Sequence, residues 1–148
     1  MENYITPIVT VLSVFISFGL GIWTKTRDFR KAQLEKRYIN FYIPFLSKLL
    51  RYQHTDNSPY ELLAHHGLDI INLISNNIQF LSINEVTLYK DLYWLAFRCI
   101  EFSTGKYPEN EKYVQDFNRK FDEFIIYTKI SAGNIAKSLK LESISKSI

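Results

Sequence analysis

The chain has 148 residues, one cysteine and a formal charge of +3 from 18 basic and 15 acidic side chains. A single cysteine excludes an internal disulfide, and so small a positive excess makes nucleic acid an unlikely partner. The length allows one domain of ordinary size with a separate segment attached to it.

The first predicted element is the stretch from Ile5 to Trp23. No charge occurs between Asn3 and Thr24. The 19 residues of this stretch, at about 1.5 Å each, reach roughly 28 Å, close to the roughly 30 Å hydrocarbon core of a bilayer. Tyr4 and Trp23 stand at its two ends, where amphipathic aromatic rings favour the headgroup boundary. The pattern predicts a single-pass membrane helix, with residues 1–24 as the anchor. A cleaved signal would carry a basic n-region, a shorter apolar stretch and a small-residue cleavage site, and none is present. Lys25, Arg27, Arg30, Lys31, Lys36 and Arg37 follow the span, and no Lys or Arg precedes it. The positive-inside bias therefore places the protein in the cell membrane with its N-terminus outside and its C-terminal domain in the cytoplasm. Lys25, Arg27, Arg30 and Lys31 fall beside the lipid headgroups, where each cation gains about 1 kcal/mol from anionic lipid.

Thr6, Thr10, Ser13, Ser17 and Gly21 recur at helical spacing along one face of the span. Within them Ser13, Ser17 and Gly21 form a small-xxx-small ladder, which lets two backbones approach closely in lipid and predicts a homo-oligomer through the span. The competing account is that the hydroxyls satisfy their own i−4 carbonyls.

Residues 25–133 read as a helical bundle. Leu34, Tyr38, Phe41, Phe45, Leu49 and Tyr52 form an apolar stripe at helical steps, with a kink or break expected near Asn40 to Pro44 because proline lacks an N–H. Residues 54–58 read as a loop. Ser58, Pro59 and Glu61 then open a second helix, expected to run to Phe80 with Leu63, Ile70, Ile74 and Ile78 inward and to be the most buried of all. Ser82 and Glu85 make a capping box for the next helix, with Tyr89, Leu92, Tyr93, Ala96, Cys99 and Ile100 toward the core and a stop near Gly105. Pro108 and Glu109 open another, with Val114, Phe117, Phe121, Phe124 and Thr128 as its stripe and Gly133 as its end. Residues 134–148 read as an amphipathic tail or short peripheral helix, with Ile135, Leu139, Leu141, Ile144 and Ile148 on its apolar side. No strand alternation is visible, so the expected fold is all-α: one transmembrane helix followed by an antiparallel bundle of about four helices.

Chemistry is sparse. His54, Asp56, His65, His66 and Asp69 form the one group with metal-ligand character, and His65 and Asp69, four apart, face the same way with His54 reaching from the loop. Paired histidines near a helix start are more often solvated or packed than liganded, so these residues are weak candidates and no metal or cofactor is expected. The five glycines are too scattered for a phosphate-cradling loop. Cys99 lies in an apolar stripe and reads as a structural thiol. No Arg is followed by His at the spacing found in all-α ribonucleases of the HEPN type, and nothing in the chain calls for an enzyme.

The run from the span through Lys36, Arg37, Tyr38, Ile39, Asn40, Phe41, Tyr42, Ile43, Pro44 and Phe45 resembles uncharacterised small single-pass membrane-anchored proteins of prophages and mobile elements in low-GC Gram-positive bacteria. The wealth of Ile, Asn, Lys, Tyr and Phe suits such an AT-rich genome. The resemblance covers about the first third of the chain and implies phage superinfection exclusion or antiphage defence at the inner membrane face, through an unknown protein partner and without any transferable site residue. The alternative is an oligomerising membrane effector that senses a ligand and perturbs the bilayer.

Overall fold

The computed structural model describes residues 5–52 and 58–141, with side chains at Ser13 and from Phe15 onward. It divides into two compact units, residues 1–35 and 36–148. All regular structure among the described residues is helical: α1 (Ile5–Arg37), a π-helical turn (Tyr38–Tyr42), α2 (Ile43–Tyr52), α3 (Pro59–Asn76), a 3-10 turn (Ile78–Phe80), α4 (Ile83–Ser103) and α5 (Glu111–Leu139).

The first unit is α1 up to Glu35. Its helix is continuous across the boundary expected at residue 24, and the second unit begins only at Lys36.

The second unit is an antiparallel bundle of α2 to α5. Tyr52 at the end of α2 stacks on His66 in α3. The end of α3 meets the start of α4 through Ser75 and Tyr89, whose hydroxyls are 2.6 Å apart. Farther along the same pair, a Cβ added to Gly67 would stand 3.4 Å from Ile100 Cδ1, so the two helices approach closely there. The end of α4 meets the start of α5, where the Cys99 thiol faces the Tyr113 carbonyl at 3.9 Å. Phe124 of α5 packs edge-on against Phe45 and beside Tyr89, joining three helices in one aromatic cluster. Short connections between amphipathic helices leave this up-and-down arrangement as the simplest way to cover every apolar stripe.

The start signals act as read from the chain. The Ser58 hydroxyl accepts from the Glu61 N–H with Pro59 in the first turn, and Ser82 and Glu85 make a reciprocal capping box. Gly105 takes a φ of 73° just after α4 ends, the left-handed conformation that glycine adopts without steric cost. Near Pro44 the helix does not break. The Ile43 N–H reaches the Tyr38 carbonyl instead, a widened turn that absorbs the donor missing at Pro44 and lets α2 continue.

Several expectations are corrected. α5 does not end at Gly133. It runs on to Leu139 and buries Ile135, Ala136 and Leu139, so residues 134–139 belong to the bundle rather than to a tail. A helical glycine costs about 1 kcal/mol relative to alanine, whereas each large aliphatic side chain buried gains about 1.5–3 kcal/mol. Leu141 is exposed, and Ile144 and Ile148 lie outside the described residues. α3 stops at Asn76 and Ile78 is exposed on the 3-10 turn, while α5 starts at Glu111 under an Asn110 cap. Tyr93 is 40% exposed rather than core. Burial is also denser over residues 38–52 than in α3, with six buried residues in 15 positions against six in 18.

Phe124→Ala should cost about 3–5 kcal/mol through the cavity it opens between Phe45 and Tyr89. Ser58→Ala should cost about 1 kcal/mol through a lost cap. Urea unfolding of the full chain, followed by circular dichroism, checks both the size and the order of these effects.

Candidate functional site

Three groups of residues are candidates for a site: the exposed face of α1, the histidine groove beside α3, and a buried polar network in the second unit.

On α1, Ser13, Ser17 and Gly21 are all exposed. Among the described residues, a Cβ added at Gly19 or Gly21 would meet nothing within 4 Å. The larger neighbours Phe15, Ile16, Phe18, Leu20, Ile22 and Trp23 are between 52% and 69% exposed. Thr24 and Thr26 donate to the Leu20 and Ile22 carbonyls at 2.8 and 2.9 Å, the local back-bonding expected of hydroxyls in an apolar helix. Lys25, Arg27, Arg30 and Lys31 are exposed beyond them. Tyr4 lies outside the described residues, as do the side chains of Thr6 and Thr10. Among the described residues no helix is long and apolar enough to cross a membrane, and the side chains of Ile5 to Leu12 are not among them.

Around the histidines, His65 and Asp69 are exposed on α3, and His66 is half-buried with its ring 3.8 Å from that of Tyr52 and nearly parallel to it. Gly67, Ile100, Ser103 and Thr104 complete a shallow groove there. His54 and Asp56 lie outside the described residues. Among the described residues no three His, Cys, Asp or Glu side chains are grouped to hold a metal ion. The Cys99 thiol is pushed from 9.0 up to about 12 by burial, with the Glu109 charge adding to it. A thiol so held stays protonated and is a poor nucleophile.

The buried network is the feature that linear reading missed. Glu85, the N3 residue of the capping box, is 0% exposed. Its Oε2 accepts from the Ser82 N–H at 2.6 Å and from the Tyr42 hydroxyl at 2.9 Å. Arg37 donates through Nη2 to the Tyr42 hydroxyl at 3.3 Å and through Nε to the Phe80 carbonyl at 2.7 Å. Burial lifts the Tyr42 phenol from 10.0 to about 12, helped by the Glu85 charge and opposed by Arg37. The phenol therefore donates as a neutral group at ordinary pH. Among the described residues, Glu85 Oε1, Tyr38 Oη and Thr128 Oγ1 are buried without a hydrogen-bond partner. The network ties the π-helical turn to the segment between α3 and α4. Its carboxylate is closed to solvent, and its hydrogen bonds join the two segments. The capping box was visible in the sequence, but the burial of Glu85 depends on Tyr42, which is 43 positions away.

Compared with models of known families, with curated proteins and with solved structures, the chain has no match.

The pH dependence follows from Tyr42. Its folded pKa lies above its unfolded value, so the native state holds the proton more tightly. That contribution is complete below pH 10.0 and is lost as pH rises toward about 12, amounting to about 3 kcal/mol. Cys99 acts in the same direction from pH 9.0 upward. Tyr42→Phe should flatten the loss of stability above pH 10 while costing about 1–3 kcal/mol at neutral pH. Urea midpoints measured across the alkaline range check both.

Proposed function

We propose that this chain is a membrane-tethered, non-enzymatic interaction module: α1 anchors it in the bilayer through Ile5–Trp23, and the helical bundle engages a protein partner at the inner membrane face. The observation that carries this reading is α1 itself. Six large apolar side chains from Phe15 to Trp23 are exposed on it. At about 1.5–3 kcal/mol each, leaving them in water would forfeit an amount comparable to the whole stability of a small domain. Lipid relieves that cost, and the basic residues directly after Trp23 suit an anionic cytoplasmic leaflet. The reading takes in Ile5 to Leu12, whose sequence is equally apolar.

The bundle offers a surface of the composition that partners use. Tyr93, Trp94 and Phe97 are exposed on α4, with the Tyr93 and Phe97 rings 5.2 Å apart and the Arg98 guanidinium 5.1 Å from the centre of the Trp94 ring. Aromatic and arginine side chains dominate binding hot spots because they bury large areas with few rotatable bonds. The resemblance of the N-terminal third to prophage-encoded membrane proteins supports superinfection exclusion or antiphage defence as the task. The second reading, an oligomerising effector that perturbs the bilayer, draws on the helical spacing of the exposed Ser13, Ser17 and Gly21.

Three measurements check these statements. A cysteine introduced as Tyr107→Cys, in the connection between α4 and α5, should react with an impermeant maleimide only after cells are permeabilised. Labelling of intact cells would reverse the orientation. Expression should protect a susceptible host from phage without arresting growth, and Trp94→Ala with Phe97→Ala should abolish protection while the fold persists by circular dichroism. Growth arrest with loss of membrane potential would instead favour the effector. Ser17→Leu with Gly21→Leu should shift crosslinked species to monomer, and an unchanged crosslinking pattern would remove the oligomer.

A further inference from the structure

Gly19, Ile22, Trp23, Thr26, Arg27 and Arg30 line one groove along α1. Gly19, Trp23, Thr26 and Arg30 follow one another at steps of four, three and four, which places them on one side of the helix with Arg27 beside them. Gly19 leaves the groove open at its apolar end, since a Cβ there would meet nothing within 4 Å. The Thr26 hydroxyl is turned back to the Ile22 carbonyl, so the two arginines decide what the polar end attracts.

Both arginines are available for a ligand. The Arg27 guanidinium carbon lies over the Trp23 ring, 5.3 Å from its centre. Its contact with Asp28 is long, at 3.8 Å, with both side chains about two-thirds exposed, and a pair of that kind holds little. Arg30 makes no hydrogen bond or ion pair among the described residues.

Direction and depth agree with this placement. Side chains on an α-helix lean toward its N-terminus, which here is the end assigned to the bilayer. The α-carbons of Arg27 and Arg30 stand about 6 and 10 Å beyond that of Trp23 along the axis. The headgroup layer is about 5–8 Å deep on each side of the hydrocarbon core. Arg27 therefore lies within it, and Arg30 reaches back into it.

We propose that this groove binds one anionic phospholipid, with its phosphodiester held between the Arg27 and Arg30 guanidinium groups and an acyl chain lying over Gly19 beside Ile22 and Trp23. The proposal rests on the reading of Ile5–Trp23 as a membrane span. Guanidinium groups present paired donors that match phosphate oxygens, whereas a lysine ammonium acts as a point charge. A lipid with no cation in its headgroup is preferred over a zwitterionic one, because two arginines face it. Lys25 lies on roughly the opposite side of the helix and Lys31 about a quarter turn away, and neither lines the groove.

The test uses the full chain carrying Trp94→Phe, which leaves Trp23 as the single indole of the two in the sequence. The protein is reconstituted in phosphatidylcholine vesicles containing a minor fraction of phosphatidylglycerol, with one or the other lipid brominated along its acyl chains. Brominated phosphatidylglycerol should quench Trp23 well beyond its share of the bilayer. Arg27→Gln and Arg30→Gln should each lower that preference about fivefold. Arg27→Lys with Arg30→Lys should also lower it, because charge is kept but the paired donors are lost, while Lys25→Gln with Lys31→Gln should leave it within about twofold of wild type. Equal quenching by the two brominated lipids, a preference that survives both Arg→Lys changes, or an equal loss in the two-lysine variant would overturn the site and leave the span standing. Trp23 untouched by either brominated lipid would overturn the span and the site together.

Discussion

Pro44 removes one backbone donor in the middle of what would otherwise be an unbroken helix, and much of the second unit depends on how that loss is absorbed. The chain widens one turn instead of breaking, so the Ile43 N–H bonds to the Tyr38 carbonyl. A true break would have cost several hydrogen bonds and released the apolar stripe. With the turn in place, Tyr38, Phe41 and Tyr42 are buried, and the stripe continues through Phe45, Leu46 and Leu49. Phe45 then meets Phe124, which also lies beside Tyr89, so the aromatic core grows outward from the residues around the proline.

The same turn brings Tyr42 to Glu85. A carboxylate that is fully buried is costly unless hydrogen bonds replace its water, and Glu85 receives two, from the Ser82 N–H and the Tyr42 hydroxyl. Arg37 adds a cation beside the phenol and bonds the Phe80 carbonyl. One capping residue therefore does two jobs: it starts α4 and fixes where the π-helical turn sits.

The two units answer different physical demands. In the bundle, apolar stripes face one another and charged residues such as Arg98, Glu101, Lys106 and Arg119 pair at the surface. α1 keeps its large apolar side chains outward through Trp23 and then turns abruptly to charge. A single helix cannot bury such a surface against itself, and the lipid environment proposed above would cover it.

The all-α class, the Ser58 and Ser82 helix starts, the stop at Gly105 and the burial of Cys99 were legible in the sequence, because periodicity, caps and left-handed glycines act over a few neighbouring residues. The apolar run before a basic collar was equally plain, being a property of consecutive residues. Tertiary structure decided the rest. Gly133 signals a stop by itself, but burial of Ile135 and Leu139 carries α5 past it to a left-handed Lys140. Tyr93 fits the apolar stripe of α4 yet stays exposed. Glu85 reads as an ordinary cap until Tyr42, 43 positions earlier, closes over it. For α5 and Glu85 the local preference is about 1 kcal/mol, and long-range burial of comparable or larger size, invisible in any short window, settles the outcome.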